Sequence, residues 1–409
     1  MLSCALIFGQ LMRKIKQPPV LGELIGGIII GPTILGMLAP GFYAWMFLGS
    51  ENVGIARDAS IKLGMLFFLF IAGLEVNLSD LRRQGKRALL IGLVGTLLPI
   101  GFGVGLVYLL PRDFWGPAVQ AHFSSFALFI GMNLANSANP VIARILMDLG
   151  LLKGDIGSLI MRATVVDDLI NWTLFAIILS DIAPSSNPVV TGLPATIAMV
   201  MVFFLLVVGL GRVVGTRALL WARTQLSWPS GFIALTALVI LLSASVAEGL
   251  GIHAFLGAFL AGAALGGKGR EKNEAHDAIA FFVLSLFAPI YFVSMGMTTN
   301  FILNFDWLLV LIILGAAFVS KMSAVLLGAK IAGMPVNREV WAIGFGLNAR
   351  GATGIILAGV GLANNLIDER IFVAVAVMAI VTSLLAGPAM SLLLGHRRPV
   401  AVSGSPIPQ

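Results

Sequence analysis

Runs of about 18 or more predominantly apolar residues recur from one end of the chain to the other, and they fix the solvent in which it folds. Such a run, coiled as a helix, crosses a hydrocarbon core of ~30 Å. Inside lipid every backbone polar group needs a partner from the chain itself, which leaves helices or closed barrels. The alternating ten-residue pattern of barrel strands does not occur here. Composition agrees. Of 409 residues 58% are hydrophobic and 11% charged, whereas a soluble domain carries about 25% charged residues. The expected fold class is an all-α polytopic membrane protein.

Reading apolar runs between charged or Pro/Gly punctuation gives thirteen segments, at about 2–12 (short), 20–39, 60–76, 87–110, 123–147, 155–181, 192–214, 229–249, 252–266, 277–298, 307–332, 340–363 and 371–395. They form one membrane domain over 1–400, followed by a short tail at 401–409. The N-terminal stretch "MLSCALIFGQLMRKIK" lacks the basic start of a signal peptide, and its apolar run is short for a span.

The net charge of +7 and the pI near 9.9 invite a nucleic-acid reading, but the basic residues sort by loop parity. Odd-numbered loops hold "RKIK" (13–16), "RRQGKR" (82–87), Lys153, Arg212, Arg217, Arg223, "GKGREK" (267–272), Lys330 and Arg338, and the tail holds Arg397 and Arg398. Even-numbered loops hold little beyond Arg57, Lys62, Arg112 and Arg370. The positive-inside rule then sets the N-terminus outside and the C-terminus in the cytoplasm, and removes the case for nucleic acid. Cys4 is the single cysteine, so there is no internal disulfide and no multi-thiolate metal site. The four histidines are scattered, and no cofactor is expected.

An internal repeat follows from motif order. "GELIGGIIIGPTILG" in the second segment pairs with "GAFLAGAALG" in the ninth, and "FIAGLEVN" in the third with "FVSMGMTTN" in the tenth. "NSANPVIA" in the fifth pairs with "NARGATGIILA" in the twelfth. The shared offset of seven spans is odd, so two five-helix units, about 20–181 and 252–395, face opposite ways, with linker helices at about 192–249. Inverted repeats of this kind are typical of secondary transporters. The fifth and twelfth segments also carry the densest polar and helix-breaking stretches, "NLANSANPV" (133–141) with Pro140 and "GLNARGATG" (346–354) with Asn348 and Arg350. Interrupted helices at matched positions of two repeats point to a midplane binding site.

Against this frame the stretch "MRATVVDDLINW" (161–172) stands out, because it sets Asp167 and Asp168 side by side in a span. A charge at mid-bilayer costs roughly 2.5–3.5 kcal/mol on insertion scales, so two in succession signal function. Neighbouring helix residues point about 100° apart, so one acid can face a cation of the chain while the other faces a cavity. Lys321, mid-span in the eleventh segment, is the available partner. A poorly hydrated carboxylate takes a proton or a small hard cation but not both. Ser137, Asn136 and Asn139, with carbonyls freed at the breaks, can complete an oxygen shell. Competition of H⁺ with Na⁺ or K⁺ for one site, exposed to each side in turn, is antiport. Arg350 has a structural reading, neutralising the carbonyl ends where two interrupted helices cross. Arg162 is expected at the entrance, and Glu23, Glu75, Glu248 and His253 near the membrane surfaces.

Seven ordered motifs, "KQPPVLGELIGGIIIGPTILG", "FLFIAGLEVNLSDLRRQGKRA", "NPVIARILMDLGLL", "VVDDLINW", "GIHAFLGAFLAG", "PIYFVSMGM" and "NARGATGIILA", run over nearly the whole chain. Together they resemble the monovalent cation:proton antiporter-2 family, which includes bacterial Na⁺/H⁺ and K⁺/H⁺ antiporters and plant cation/H⁺ exchangers. The resemblance implies a mobile core holding two crossed discontinuous helices, rocking against a scaffold that forms a homodimer. It implies that Asp168 carries cation and proton and that Lys321 pairs with Asp167. An Asp-Asp pair resembles the electrogenic members, with two protons per cation. Ala352 stands where some sodium-exchanging relatives have glutamate, which leaves Na⁺ against K⁺ open. The expected setting is a bacterial inner membrane.

Three other readings compete. An electroneutral K⁺/H⁺ antiporter or K⁺ efflux protein of the ligand-gated kind would carry Gln or Asn at 167 and a nucleotide-binding domain, whereas this chain has Asp167 and ends soon after its last span. An intramembrane aspartyl protease needs its two acids on different helices, and no Gly-x-Gly-Asp stretch occurs. A sodium-coupled symporter would need a pocket for an organic substrate.

Overall fold

In the computed structural model the described residues are 1–14, 19–48, 51–75, 85–120, 122–152, 154–182, 230–250, 254–265 and 279–395, with Asp277 and scattered positions between 202 and 227. They form helices and turns, with no strand among them. His253, Asn77, Lys153, the 267–272 stretch, most of the 192–214 segment and the tail from 396 lie outside the described residues.

The principal helices are α1 (Leu2–Lys14), α2 (Pro19–Ile30), α3 (Glu51–Glu75), α4 (Lys86–Leu109), α5 (Phe123–Ala135), α6 (Asn139–Asp148) and α7 (Asp155–Ile182). They continue with α8 (Ser230–Gly249), α9 (Ala254–Leu265), α10 (Ala288–Thr298), α11 (Trp307–Ile331), α12 (Arg338–Leu347), α13 (Gly351–Ala363) and α14 (Glu369–Leu394). Among the described residues six stretches of helix are long and apolar enough to cross a membrane, among them α4, α8, α11 and α14, and α5, α9 and part of α13 are shorter apolar helices. Two boundaries differ from the sequence reading. α3 begins at Glu51 rather than near 60, because Arg57, Asp58 and Lys62 are carried on helix and not in a loop. α2 ends at Ile30, where the "GPT" turn (31–33) separates it from a one-turn helix at Leu35–Leu38.

Several starts are written in the sequence. Asp306 accepts from the amides of Leu308 and Leu309 at the head of α11, Asn337 from Glu339 and Val340 at α12, and Asp368 from Ile371 at α14. Each pairs backbone donors that the first turn leaves without helical partners.

Helix contacts sort into two groups. In one, α2 packs on α1 and α10, and α3 packs on α8, α9 and α10. In the other, α4 packs on α5, α7 and α11, while α14 packs on α11, α12 and α13. Two pairs in the first group approach backbone to backbone through reciprocal glycines. A Cβ placed on Gly73 of α3 would lie 2.0 Å from the Phe259 carbonyl oxygen, and one on Gly262 of α9 would lie 2.0 Å from that of Phe70. On α2 and α10 the same reciprocity recurs, with Gly27 against the Val293 oxygen at 2.1 Å and Gly296 against that of Leu24 at 2.3 Å. Only glycine permits contacts this close.

Candidate ion site

The site is built where two helices stop. α5 ends at Ala135, residues 136–138 run extended, and α6 begins at Asn139. Pro140 sits in the first turn of α6, where its missing N–H costs nothing. α12 ends at Leu347 and α13 begins at Gly351, whose φ of +47° together with Val141 Cγ2 2.4 Å from any Cβ there requires glycine. The two breaks are bonded to each other. The Ala138 amide donates to the Ala349 oxygen at 2.7 Å, and the Ser137 hydroxyl donates to the Leu347 oxygen at 2.7 Å.

Carbonyls exposed at the end of α5 concentrate negative charge, and two buried cations meet them. Arg350, 0% exposed, donates from Nε to the Asn133 oxygen at 3.1 Å and from Nη2 to those of Leu134 and, at 3.4 Å, Ala317. Its Nη1 donates to the backbone and side-chain oxygens of Asn348 at 3.1 and 2.5 Å. Lys321, 1% exposed, donates to the Ala135 oxygen and, at 3.1 Å, to that of Gly95.

The adjacent acids of α7, Asp167 and Asp168, have different surroundings, as their angular separation requires. Asp167, 2% exposed, has Oδ1 2.7 Å from the Thr96 hydroxyl and 3.0 Å from Asn171 Nδ2, while Oδ2 lies 3.5 Å from the Lys321 ammonium. Asp168, 8% exposed, accepts through Oδ2 from the Asn139 amide. Asn139 is the first residue of α6, so this carboxylate stands at a helix N-terminus, where the partial charge is positive. Asn139 Oδ1 and the amide nitrogens of Asn136 and Asn348 are buried without a hydrogen-bond partner among the described residues. Thus Asp167, Asp168, Asn136, Ser137, Asn139, Lys321, Asn348 and Arg350 converge on the paired breaks.

Two partners escaped the sequence reading: Thr96 and Asn171. Asn171 carried a usable signal, since it stands one turn after Asp167 on the same helix face. Other acids fall elsewhere. Glu23 is buried between α2 and α1, beside Gly9. Arg162 is exposed on α7, and Glu75 is the last residue of α3. Glu248 lines a cavity of about 750 Å³ with Asp58, Lys62, Phe255, Tyr291, Met295 and Gly359 among its other walls, and neither Asp167 nor Asp168 is part of that lining.

Comparison with known proteins is consistent across the chain. Residues 2–395 match the family described as sodium/hydrogen exchanger, transmembrane. The chain is 31% identical over 390 residues to the Na⁺/H⁺ antiporter NhaS4 of Synechocystis sp., covering 95% of this chain and 93% of that one. It is 28% identical over 393 residues to the Na⁺/H⁺-K⁺ antiporter GerN of Bacillus cereus, with 95% and 93% covered. The K⁺/H⁺ antiporter 1 of Saccharomyces cerevisiae is 31% identical over 387 residues, and there the chain spans 92% of itself but 44% of the relative. The chain likewise spans about half the length of the matching Arabidopsis cation/H⁺ antiporters. In fold it is similar to the sodium proton antiporter MjNhaP1 of Methanocaldococcus jannaschii, with a TM-score of 0.69, 16% identity and 97% and 96% covered.

Proposed function

The chain belongs to the transmembrane sodium/hydrogen exchanger family, and from that premise we propose that it is a secondary antiporter exchanging Na⁺ or K⁺ for H⁺ by alternating access. One observation carries the reading: Asp168 is buried at the meeting of two helix interruptions, against the first residue of α6. A carboxylate so placed is stabilised by a proton or by a small cation, and one excludes the other. The residues nearby fit a hard cation, which prefers oxygen ligands. Asn139 Oδ1 is a buried carbonyl oxygen with no hydrogen-bond partner among the described residues. Asn136 and Ser137 stand in the same break.

Asp167 and Lys321 supply the second charged pair. The Asp-Asp sequence supports an electrogenic cycle with two protons per cation; an electroneutral K⁺/H⁺ exchanger or K⁺ efflux protein is the alternative. The reciprocal glycine contacts support the inverted repeat. Gly73 and Phe70 match Gly296 and Val293, and Leu24 and Gly27 match Phe259 and Gly262, so one packing geometry occurs twice in opposite order. The two contact groups fit a core, α4–α7 with α11–α14, rocking against a scaffold, α1–α3 with α8–α10, that pairs as a homodimer. The setting is a bacterial plasma membrane, N-terminus outside and C-terminus in the cytoplasm.

The test is exchange in proteoliposomes with a trapped pH dye, adding Na⁺, Li⁺ and K⁺ in turn. Cation-driven proton movement that is lost in Asp168→Asn is the expected result. An unchanged dye signal with every cation, from protein shown to be folded, would sink the reading.

A further inference from the structure

The 750 Å³ cavity and the acids of α7 belong to different places, and one helix contact stands between the two contact groups at the cavity wall. Of the second group, the cavity lining includes α13, through Gly359 and Ala363, and the next residue, Asn364. Facing it is α10, through Tyr291, Ser294, Met295, Met297 and Thr298. Tyr291 and Met295 lie one turn apart and share a face of their helix. Both press on Gly359. A Cβ built there would lie 2.4 Å from Met295 Sδ and 2.9 Å from the Tyr291 hydroxyl oxygen. That hydroxyl donates to the Ile356 oxygen at 3.4 Å, one turn nearer the break in α13. Tyr291, Met295 and Ile356 are buried.

We propose that Gly359 is a notch in α13 that seats Met295 and Tyr291 of α10, and that this seat is a gate which must open in each transport cycle. The inference rests on the alternating-access reading above. Any rocking of α13 past α10 must lift the two side chains out of the notch. Several features suit a contact that opens and closes. Methionine is unbranched and adapts its shape at little cost. The notch has no side chain to trap it. The single hydroxyl-to-carbonyl bond is long and leaves little to break.

The chain has one cysteine, so a Cys4→Ser background makes the test clean. In that background, Met295→Cys with Gly359→Cys is joined by a short bifunctional thiol reagent that reduction cleaves. Exchange is expected to fall at least tenfold on cross-linking and to return on reduction, each relative to the untreated double variant, while the same treatment leaves either single variant at its own untreated rate. A cross-linked protein that exchanges at the uncross-linked rate overturns the gate. A second arm needs no cross-link. Gly359→Val should slow exchange about tenfold or more, and adding Met295→Ala should restore most of it by emptying the space the valine needs. Slowing that Met295→Ala does not relieve, with the fold shown intact by thermal melting, also overturns it. The Cys4→Ser protein is assayed first. Were it to move no protons with any cation, the antiport reading would fall together with the gate; if it exchanges and the gate variants behave otherwise than stated, the gate alone falls.

Discussion

The amide of Ala138 and the carbonyl of Ala349 are 2.7 Å apart, so the interruption of one helix is closed by the interruption of the other. Two unwound stretches inside a membrane would each leave backbone groups bare; here they satisfy one another. The Ser137 hydroxyl adds a second link, to Leu347. Ser137→Ala removes that donor, at a cost of about 1–3 kcal/mol. The expected outcome is a melting temperature in detergent lower by several degrees. A melting curve identical to the parent protein would mean that the link carries no stability.

Arg350 spends its donors on Asn133, Leu134, Ala317 and Asn348. A lysine keeps the charge but not the planar fork that reaches several carbonyls at once. Arg350→Lys is therefore expected to melt several degrees lower while still inserting. Arg350→Ala strands these oxygens and is expected to cost on the order of 3–5 kcal/mol, seen as poor recovery of folded protein. Equal melting of the lysine variant and the parent would show that charge alone suffices there.

Gly73 and Gly296 offer a test of the repeated packing. Alanine at either would put a Cβ within 2.0 or 2.3 Å of a backbone oxygen, so the helix pair must separate. Backbone cannot yield as a flexible side chain can. Gly73→Ala and Gly296→Ala are expected to destabilise to a similar degree, each by a few kcal/mol. Gly101→Ala, on α4 with nothing within 4 Å, is expected to be neutral or to stabilise by up to about 1 kcal/mol. Thermal melting of the three variants side by side checks the ranking.

Much of this was legible in the residues. Pro140 and the Gly351 cluster announced the breaks because few residue types start or stop a helix for a known reason. Asp167 and Asp168 announced themselves because charge is costly in lipid. Lys321 was the available mid-span cation, and it lies 3.5 Å from Asp167. Thr96 was invisible, since a threonine in an apolar helix ordinarily bonds back to its own backbone, and this one also stands 2.8 Å from the Gly92 oxygen. That it meets Asp167 depends on how α4 packs on α7, which no local pattern encodes. The burial of Glu23 was invisible for the same reason, since α1 lies over it through the close approach of Gly9 and Gly22.

Asp167 and Asp168 of α7 should separate in function as they do in surroundings. Asp168 faces the head of α6 and is the proposed carrier, so Asp168→Asn is expected to reduce exchange to the background of empty liposomes while leaving the melting temperature within a few degrees. Asp167 is held by Thr96, Asn171 and the Lys321 ammonium, and its replacement disturbs charge rather than access. Asp167→Asn leaves Lys321 buried without its counter-ion, although the Ala135 and Gly95 carbonyls still accept from it. The expected result is measurable exchange with reduced dependence on membrane potential, read as the charge moved per cation on a solid-supported membrane. Were Asp167→Asn inactive and Asp168→Asn active, the roles assigned to the two would be reversed. Were charge per cation unchanged in Asp167→Asn, Asp167 would drop out as a second titrating group; were that charge also zero, the electroneutral alternative would stand, because a site with one exchangeable acid can return only one proton for each cation it carries.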